Sequence, residues 1–179
     1  MGIPWSGATE NRLRFHWDLG IETLKERTKT SMKKTYRICA GLFALLLLGL
    51  TWGFSAQTGA ESGALSAKIA KTLMRFLGIE QTADKLDRAV YIVRKAAHFN
   101  LFALIGLSLG LTFAVPNKST FVFWALPIAV FCASADEVHQ HFVAGRASMW
   151  QDVLLDSCGA LTGVSAVFLF MKLRKRRKR

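Results

Sequence analysis

The run ICAGLFALLLLGLTWGF, from Ile38 to Phe54, contains 17 residues and no charged side chain. A helix needs about 20 mostly apolar residues to cross a hydrocarbon core that is about 30 Å thick. Such a helix is stable in lipid because it satisfies its own backbone hydrogen bonds. The run therefore predicts a transmembrane helix, and the rest of the chain can be divided by the same criterion.

Three further stretches are long and apolar enough to be spans: Val90 to Val115, Thr120 to Ala135 and Val153 to Met171. The second of these is short, but the polar residues that begin at Asp136 can extend its helix into the membrane interface. The sequence therefore predicts an all-α integral membrane bundle of four transmembrane helices. The predicted membrane domain covers residues 38–171.

The basic residues predict how this bundle is oriented. The chain has a net charge of +12 although 51% of its residues are hydrophobic. Eight Lys and Arg residues precede the first span, Lys118 lies between the second and third spans, and seven more follow Met171. The other two connections contain six. The positive-inside rule therefore predicts that both termini are cytoplasmic and that the connections at 55–89 and 137–152 face outward.

The two ends of the chain are predicted to be a basic cytoplasmic segment, residues 1–37, and a basic cytoplasmic tail, residues 172–179. Met32 is a second possible start, and a cleaved secretory signal that ends near Ser55 is an alternative to the first span. The tail sequence KLRKRRKR directly follows a span, where basic residues meet anionic lipid. We therefore expect membrane lipid as a partner and no nucleic acid.

The first outer connection predicts an amphipathic helix. Thr58 and Glu61 have the spacing of a capping box, in which each side chain accepts a hydrogen bond from the other residue's backbone. Apolar residues then recur at helical spacing: Leu65, Ile69, Leu73, Phe76 and Leu77. Two arrangements fit this pattern. The helix lies on the outer membrane surface, or it packs across the mouth of the bundle.

Glycine pairs four residues apart occur in three spans, at Gly49 and Gly53, Gly106 and Gly110, and Gly159 and Gly163. Small residues at this spacing let helices approach closely in lipid. The pairs predict tight packing, either within the chain or between copies in a homo-oligomer. The three cysteines all lie in predicted spans, which argues against a disulfide framework.

Ionisable residues collect at the outer end of the predicted bundle. They come from the start of the second span, the end of the third, the short outer connection and the start of the fourth: Arg94, Lys95, His98, Asp136, Glu137, His139, Gln140, His141, Arg146, Asp152 and Asp156. Charged groups in the apolar layer are expensive unless they are paired, face water or are used in function. Structural roles exist for some of them, since Arg94 and Lys95 can reach the interface and Asp152 can cap a helix.

The chain resembles the VanZ-like family in three segments: FSAQTG (54–59), RKAAHF (94–99) and DEVHQHFVAGRASMWQDVLLDSCGALTG (136–163). The resemblance implies a bacterial cytoplasmic-membrane protein, and the namesake of the family is tied to teicoplanin resistance. It marks these positions as functional: Lys95, His98, Asp136, Glu137, Gln140, Arg146 and Asp152.

The chain also departs from the family pattern. The family often places Glu and Tyr soon after the histidine, where this chain has Leu101 and Phe102. A proline common in the family is Ala144 here, and a common asparagine is Asp156. An acid is therefore missing from the second span, and Asp156 is the residue that could replace it from across the bundle.

Three functions fit these residues. In the favoured one, the site binds an anionic lipid-linked or cell-envelope ligand or a lipoglycopeptide, through residues Arg94, Lys95, Gln140, Arg146 and Asp156. In the second, the protein is an enzyme that acts on a lipid headgroup or lipid-linked phosphate, with candidate catalytic residues His98, Asp136, Glu137, His139 and Asp152. Acidic residues of this set could also hold a divalent metal. In the third, the protein is an ion-coupled transporter. No GxSxG or HExxH motif is present, and the sequence identifies no cofactor.

The orientation can be tested with single cysteines placed at Ser62, Lys118 and Ser148 in a background without native cysteines. An impermeant thiol reagent applied to intact cells should label the first and third positions and leave Lys118→Cys unlabelled until the cells are opened. The reverse pattern would show that the bundle is inverted and would remove the basis for an outward-facing site.

Overall fold

A computed structural model of the chain describes residues 6–115 and 118–177, and the side chains among them from residue 17 onward except 18 and 29. It contains five α-helices and a short 3₁₀ helix that leads into the fourth. They are α1 (Ser6–Ser55), α2 (Gly59–Phe76), α3 (Ala83–Phe113), the 3₁₀ helix (Ser119–Trp124), α4 (Ala125–His141) and α5 (Trp150–Arg176). The chain divides into two compact units, Met1–Ile38 and Cys39–Arg179.

Four helical segments are long and apolar enough to cross a membrane: Leu19–Ser55, Ala83–Phe113, Ser119–His141 and Trp150–Arg176. The prediction of an all-α bundle with four spans is confirmed, and the third span continues past Asp136 as its polar extension predicted. The chain is therefore a multi-pass membrane protein. In the first unit α1 begins at Ser6, although residues 1–31 have no clear apolar period. The end of the predicted tail, residues 178–179, lies outside the described residues.

Large apolar side chains cover the outside of the second unit. Leu45 is 65% exposed, Phe131 is 73% exposed and Phe170 is 61% exposed. In water an apolar surface of this extent would drive aggregation, whereas in a bilayer it contacts lipid tails at no cost. The exposure pattern therefore fits a bundle that is surrounded by lipid.

The interior of the bundle is built from closely packed small and medium side chains. Ala125, Ala129 and Ala133 recur every fourth residue on α4 and are fully buried. They belong to one apolar cluster with Phe102 of α3 and Val164 of α5. Because lipid tails are as apolar as these side chains, close contact between helices stabilises the bundle more than burial does.

Helices α3 and α5 cross at close range. A Cβ atom at Gly106 would collide with the backbone of Ala160, and one at Gly163 would collide with the carbonyl of Ala103. On α1, by contrast, a Cβ at Gly49 would meet no atom within 4 Å. The glycine pairs of α3 and α5 are thus explained by packing within the chain.

The predicted capping box begins α2. The Glu61 N–H donates to the Thr58 hydroxyl at 3.3 Å, and the Thr58 N–H donates to the Glu61 carboxylate at 2.9 Å. The Thr58 N–H and, less strongly, the Thr58 hydroxyl donate to the Glu61 carboxylate and lower the pKa of Glu61. The helix packs on α3 through Ser66, Ala70 and Met74, and its larger apolar residues stay exposed.

The glycine crossing gives a stability prediction with an internal control. Gly163→Ala should destabilise the protein by about 1–3 kcal/mol, the usual cost of overpacking a core. Gly49→Ala should leave stability unchanged or raise it slightly, because alanine is the better helix former by up to about 1 kcal/mol. The measurement is the fraction of monodisperse protein that survives heating in detergent. Equal loss in both variants would show that the crossing is not tight.

Candidate functional site

The polar residues meet at one end of the bundle, where α1 and α4 end and α5 begins, and α3 reaches this end about three turns after its first residue. The connection between α4 and α5 crosses this end and carries Arg146. Four of the polar side chains are almost completely buried there: Asp136, Glu137, Gln140 and Asp156. The structure therefore brings the ionisable residues that the sequence singled out into one region.

Arg146 ties this end together. Its Nη2 group donates to the Phe54 carbonyl at 2.6 Å, its Nε group to the Gln57 carbonyl at 3.0 Å, and its Nη1 group to the Gln140 amide oxygen at 3.3 Å. The Phe54 carbonyl is one of the last four carbonyl groups of α1, which accept no hydrogen bond from an N–H group within the helix. Arg146 therefore holds the α4–α5 connection against the end of α1.

Beneath Arg146 lies a buried triangle of hydrogen bonds. The Ser55 hydroxyl donates to Asp136 Oδ2 at 2.9 Å, and the Gln140 amide donates to the same oxygen at 2.7 Å and to the Ser55 hydroxyl at 3.1 Å. Asp136 itself is 0% exposed. These contacts stabilise the carboxylate, which would otherwise be costly to bury. They also join α1 to α4.

Two ionisable pairs join α3 to α5, one helical turn apart. Lys95 forms an ion pair with Asp152, and both side chains are largely buried. The His98 Nδ1 atom lies 3.5 Å from Asp156 Oδ2. This second pair places Asp156 of α5 beside His98 of α3. Asp156 must have this position if it replaces the acid that is missing from the second span.

Glu137 faces the start of α5. Its Oε2 atom accepts a hydrogen bond from the Met149 N–H at 3.0 Å, so it satisfies a backbone donor at the helix N-terminus. A carboxylate is favoured at this end of a helix by the macrodipole. The other oxygen of Glu137 is buried and has no hydrogen-bond partner among the described residues. The same holds for Asp136 Oδ1, both Asp156 oxygens and the Nδ1 atoms of His98 and His139.

Arg94 differs from the other cations. It is half-buried about three turns into α3, and its side chain has no hydrogen-bond or ion-pair partner within the described part of the chain. It lies close enough to Arg146 to interact electrostatically. Burial, and then this neighbouring positive charge, lower the pKa of Arg146 from its ordinary value. Each guanidinium group therefore lies within range of the other's charge, and only that of Arg146 is held by acceptors among the described residues.

His139 and His141 lie apart from the pair formed by His98. His139 stacks on Trp52 of α1, with ring centroids 5.5 Å apart and planes 5° from parallel. His141 is exposed at the end of α4 and contacts Phe142 edge-on. Among the residues that the structure describes, no three His, Cys, Asp or Glu side chains form a group that could hold a metal ion.

Residues 40–171 match the family model described as VanZ/LLP1. This chain belongs to the VanZ/LLP1 family. The match includes residues of all four spans and every residue of the site, and it confirms the family resemblance of the sequence. Antibiotic resistance is the known association of the VanZ family. No curated protein and no solved structure matches the chain significantly.

Sequence reasoning missed two contributors to this VanZ/LLP1 site. Ser55 lies in the quoted FSAQTG segment, yet it was not a candidate, because a serine at the end of a span is common. Trp52 gives no signal, since tryptophan is frequent near membrane interfaces. Both residues come from α1, which contains no charged group near the site.

The contacts of Arg146 predict a structural role that Arg94 does not share. Arg146→Ala should destabilise the folded protein by about 2 kcal/mol or more, because hydrogen bonds from a charged donor contribute about 1.5–3 kcal/mol each. Arg146→Lys should recover part of this loss, since lysine keeps the charge but not the forked geometry. Arg94→Ala is the matched control and should change stability little. The measurement is abundance in membranes together with heat resistance in detergent; normal values for Arg146→Ala would contradict the structural role.

Proposed function

We propose that this end of the bundle is an outward-facing site that binds an anionic lipid-linked or cell-envelope ligand, and that this binding raises tolerance to lipoglycopeptide antibiotics. The proposed location is a bacterial cytoplasmic membrane with both termini cytoplasmic, as the distribution of basic residues favours. The observation that carries the proposal is the half-buried Arg94 guanidinium, which has no acceptor among the described residues and lies near Arg146.

Charge placement supports an anion as the ligand. Lys95 forms an ion pair with Asp152, which offsets its positive charge and makes it the weaker attraction for an anion. Arg146 uses three of its five N–H donors on protein acceptors, which leaves two. A phosphate or carboxylate placed between the two guanidinium groups would relieve their mutual repulsion and could bind both through charge-assisted hydrogen bonds. The primary contact is therefore assigned to Arg94.

The buried acids support a site whose shape is fixed before the ligand arrives. Asp136 and Gln140 hold one another and Ser55, and Gln140 accepts from Arg146. The Arg146 guanidinium group is held in position by these contacts. It therefore loses little freedom when a ligand binds, which favours affinity. The link to antibiotic tolerance rests on the association of the family, and the binding chemistry rests on the geometry.

One observation favours an enzyme as a second candidate. His98 and Asp156 are paired at 3.5 Å in a largely buried setting, and a carboxylate in this position can orient an imidazole for proton transfer. In this alternative the ligand is a lipid headgroup or lipid-linked phosphate that is converted rather than held. His98 would be the acid–base residue and Asp156 its partner.

The binding proposal predicts that Arg94→Gln removes teicoplanin tolerance from a susceptible host that expresses the protein. Loss of one charge-assisted contact weakens binding about tenfold or more, since such a contact is worth about 1.5–3 kcal/mol. Arg88→Gln is the matched control, because Arg88 lies on the same helix but is exposed and pairs with Asp84. Membrane abundance of both variants is measured by immunoblot.

The same assay separates binding from catalysis through His98→Gln, which keeps hydrogen-bonding capacity but cannot transfer a proton near neutral pH. A binder should keep most of its effect in this variant. Loss of tolerance in His98→Gln at normal abundance, joined by conversion of a lipid-linked substrate by the purified protein, would establish the enzyme instead. Retained tolerance in Arg94→Gln would refute the anion site.

A further inference from the structure

Helix α2 presents three different faces around its circumference. One face packs on α3 and consists of Ser66, Ala70 and Met74, all buried. At about 3.6 residues per turn, a second face carries exposed apolar side chains: Leu65, Ile69, Leu73 and Phe76. A third face carries exposed basic side chains: Lys68, Lys71 and Arg75. The bundle thus covers only the face with the smallest side chains.

The two exposed faces pack against none of the helices with which the structure shows α2 in contact, which is α3 alone among the described residues. Phe76 is 87% exposed, and the charged ends of Lys68, Lys71 and Arg75 form no hydrogen bond or ion pair with any other described residue. An apolar strip beside a basic strip matches the boundary of an anionic bilayer, where hydrocarbon lies below and phosphate lies above. Lysine and arginine can lay their apolar stems along the boundary and reach the phosphates with their charged ends.

We propose that α2 is a docking surface for anionic phospholipid in the membrane that surrounds the bundle. The apolar face enters the acyl region, and Lys68, Lys71 and Arg75 bind lipid phosphates. This surface is separate from the anion site at Arg94, and it concerns bulk lipid rather than a specific ligand.

The start of α2 is joined to the loop that carries Arg146. The Gly59 N–H donates to the Ala144 carbonyl at 3.0 Å, and a Cβ atom at Gly59 would collide with Gly145. Gly145 has a φ of +72°, a conformation that glycine adopts at little cost. The capping box between Thr58 and Glu61 then fixes the first turn. Lipid that binds α2 therefore contacts an element that is held firmly against the polar end of the bundle.

The test uses the full-length protein in lipid nanodiscs. A fluorophore is placed on α2 through Thr72→Cys in a background in which Cys39, Cys132 and Cys158 are alanine. Quenching by nitroxide-labelled phosphatidylglycerol is compared with quenching by phosphatidylcholine that carries the same label. The anionic lipid should be enriched around α2 by about fivefold, the effect expected of one basic residue near an anionic lipid surface.

Two variants with the same change in charge complete the experiment. The combination of Lys68→Gln, Lys71→Gln and Arg75→Gln should make quenching by the two lipids equal. The combination of Lys172→Gln, Arg174→Gln and Lys175→Gln, at the far end of α5, should leave the preference intact. Equal quenching in the parent protein, or an unchanged preference in the α2 variant, would overturn the proposal.

A third variant checks the apolar face. Ile69→Asn with Phe76→Asn should reduce quenching by both lipids to the same extent, because the helix would lie less deeply in the acyl region. Undiminished quenching would show that this face does not enter lipid and would also overturn the proposal. None of these readouts depends on Arg94 or on teicoplanin tolerance, so failure here leaves the proposed anion site untouched.

Discussion

The structure depends above all on the close approach of α3 and α5. At the glycines of this crossing the two backbones are in contact, and neither Gly106 nor Gly163 has space for one methyl group. This approach brings Lys95 opposite Asp152 and, one turn further in, His98 beside Asp156. Ion pairs in a medium of low dielectric need good geometry to offset the cost of desolvation. A wider crossing would leave these carboxylates without partners, so the apolar contact deep in the bundle makes the polar end possible.

The two arginines at the polar end show that residue type alone does not determine a role. Arg146 and Arg94 both carry a guanidinium group, and each lies within range of the other's charge. The Arg146 group donates to backbone carbonyls, whereas the Arg94 group has no acceptor among the described residues. Arg146 organises the place where α1, α4 and the α4–α5 connection meet. In the proposed anion site the primary contact is therefore assigned to Arg94 of α3. This division of labour follows from which acceptors the fold places within reach of each guanidinium.

The sequence was sufficient for the spans, the capping box and the residues of the polar end. Hydrophobic length predicts helices in a membrane because the bilayer allows few other structures. It did not predict which side chains contact one another. Helical spacing placed Asp136, His139 and Gln140 on one face, but in the structure His139 stacks on Trp52, while Asp136 and Gln140 hydrogen-bond to Ser55. Those choices depend on how α1 is rotated against α4, and no local pattern records that rotation. The sequence also did not predict the face of α2 that packs on α3, because Ser66, Ala70 and Met74 are together less hydrophobic than the exposed apolar face.

The connection between α4 and α5 is held at two points, by Arg146 to the end of α1 and by the Ala144 carbonyl to the start of α2. Surface loops usually tolerate insertions and deletions because few contacts fix their path. Here a single added residue would shift the guanidinium off its carbonyls or pull the turn away from Gly59. Evolution of this family is therefore expected to vary the composition of the segment while keeping its length, which makes the spacing from Gln140 to Asp152 a better guide to distant relatives than the residues between them.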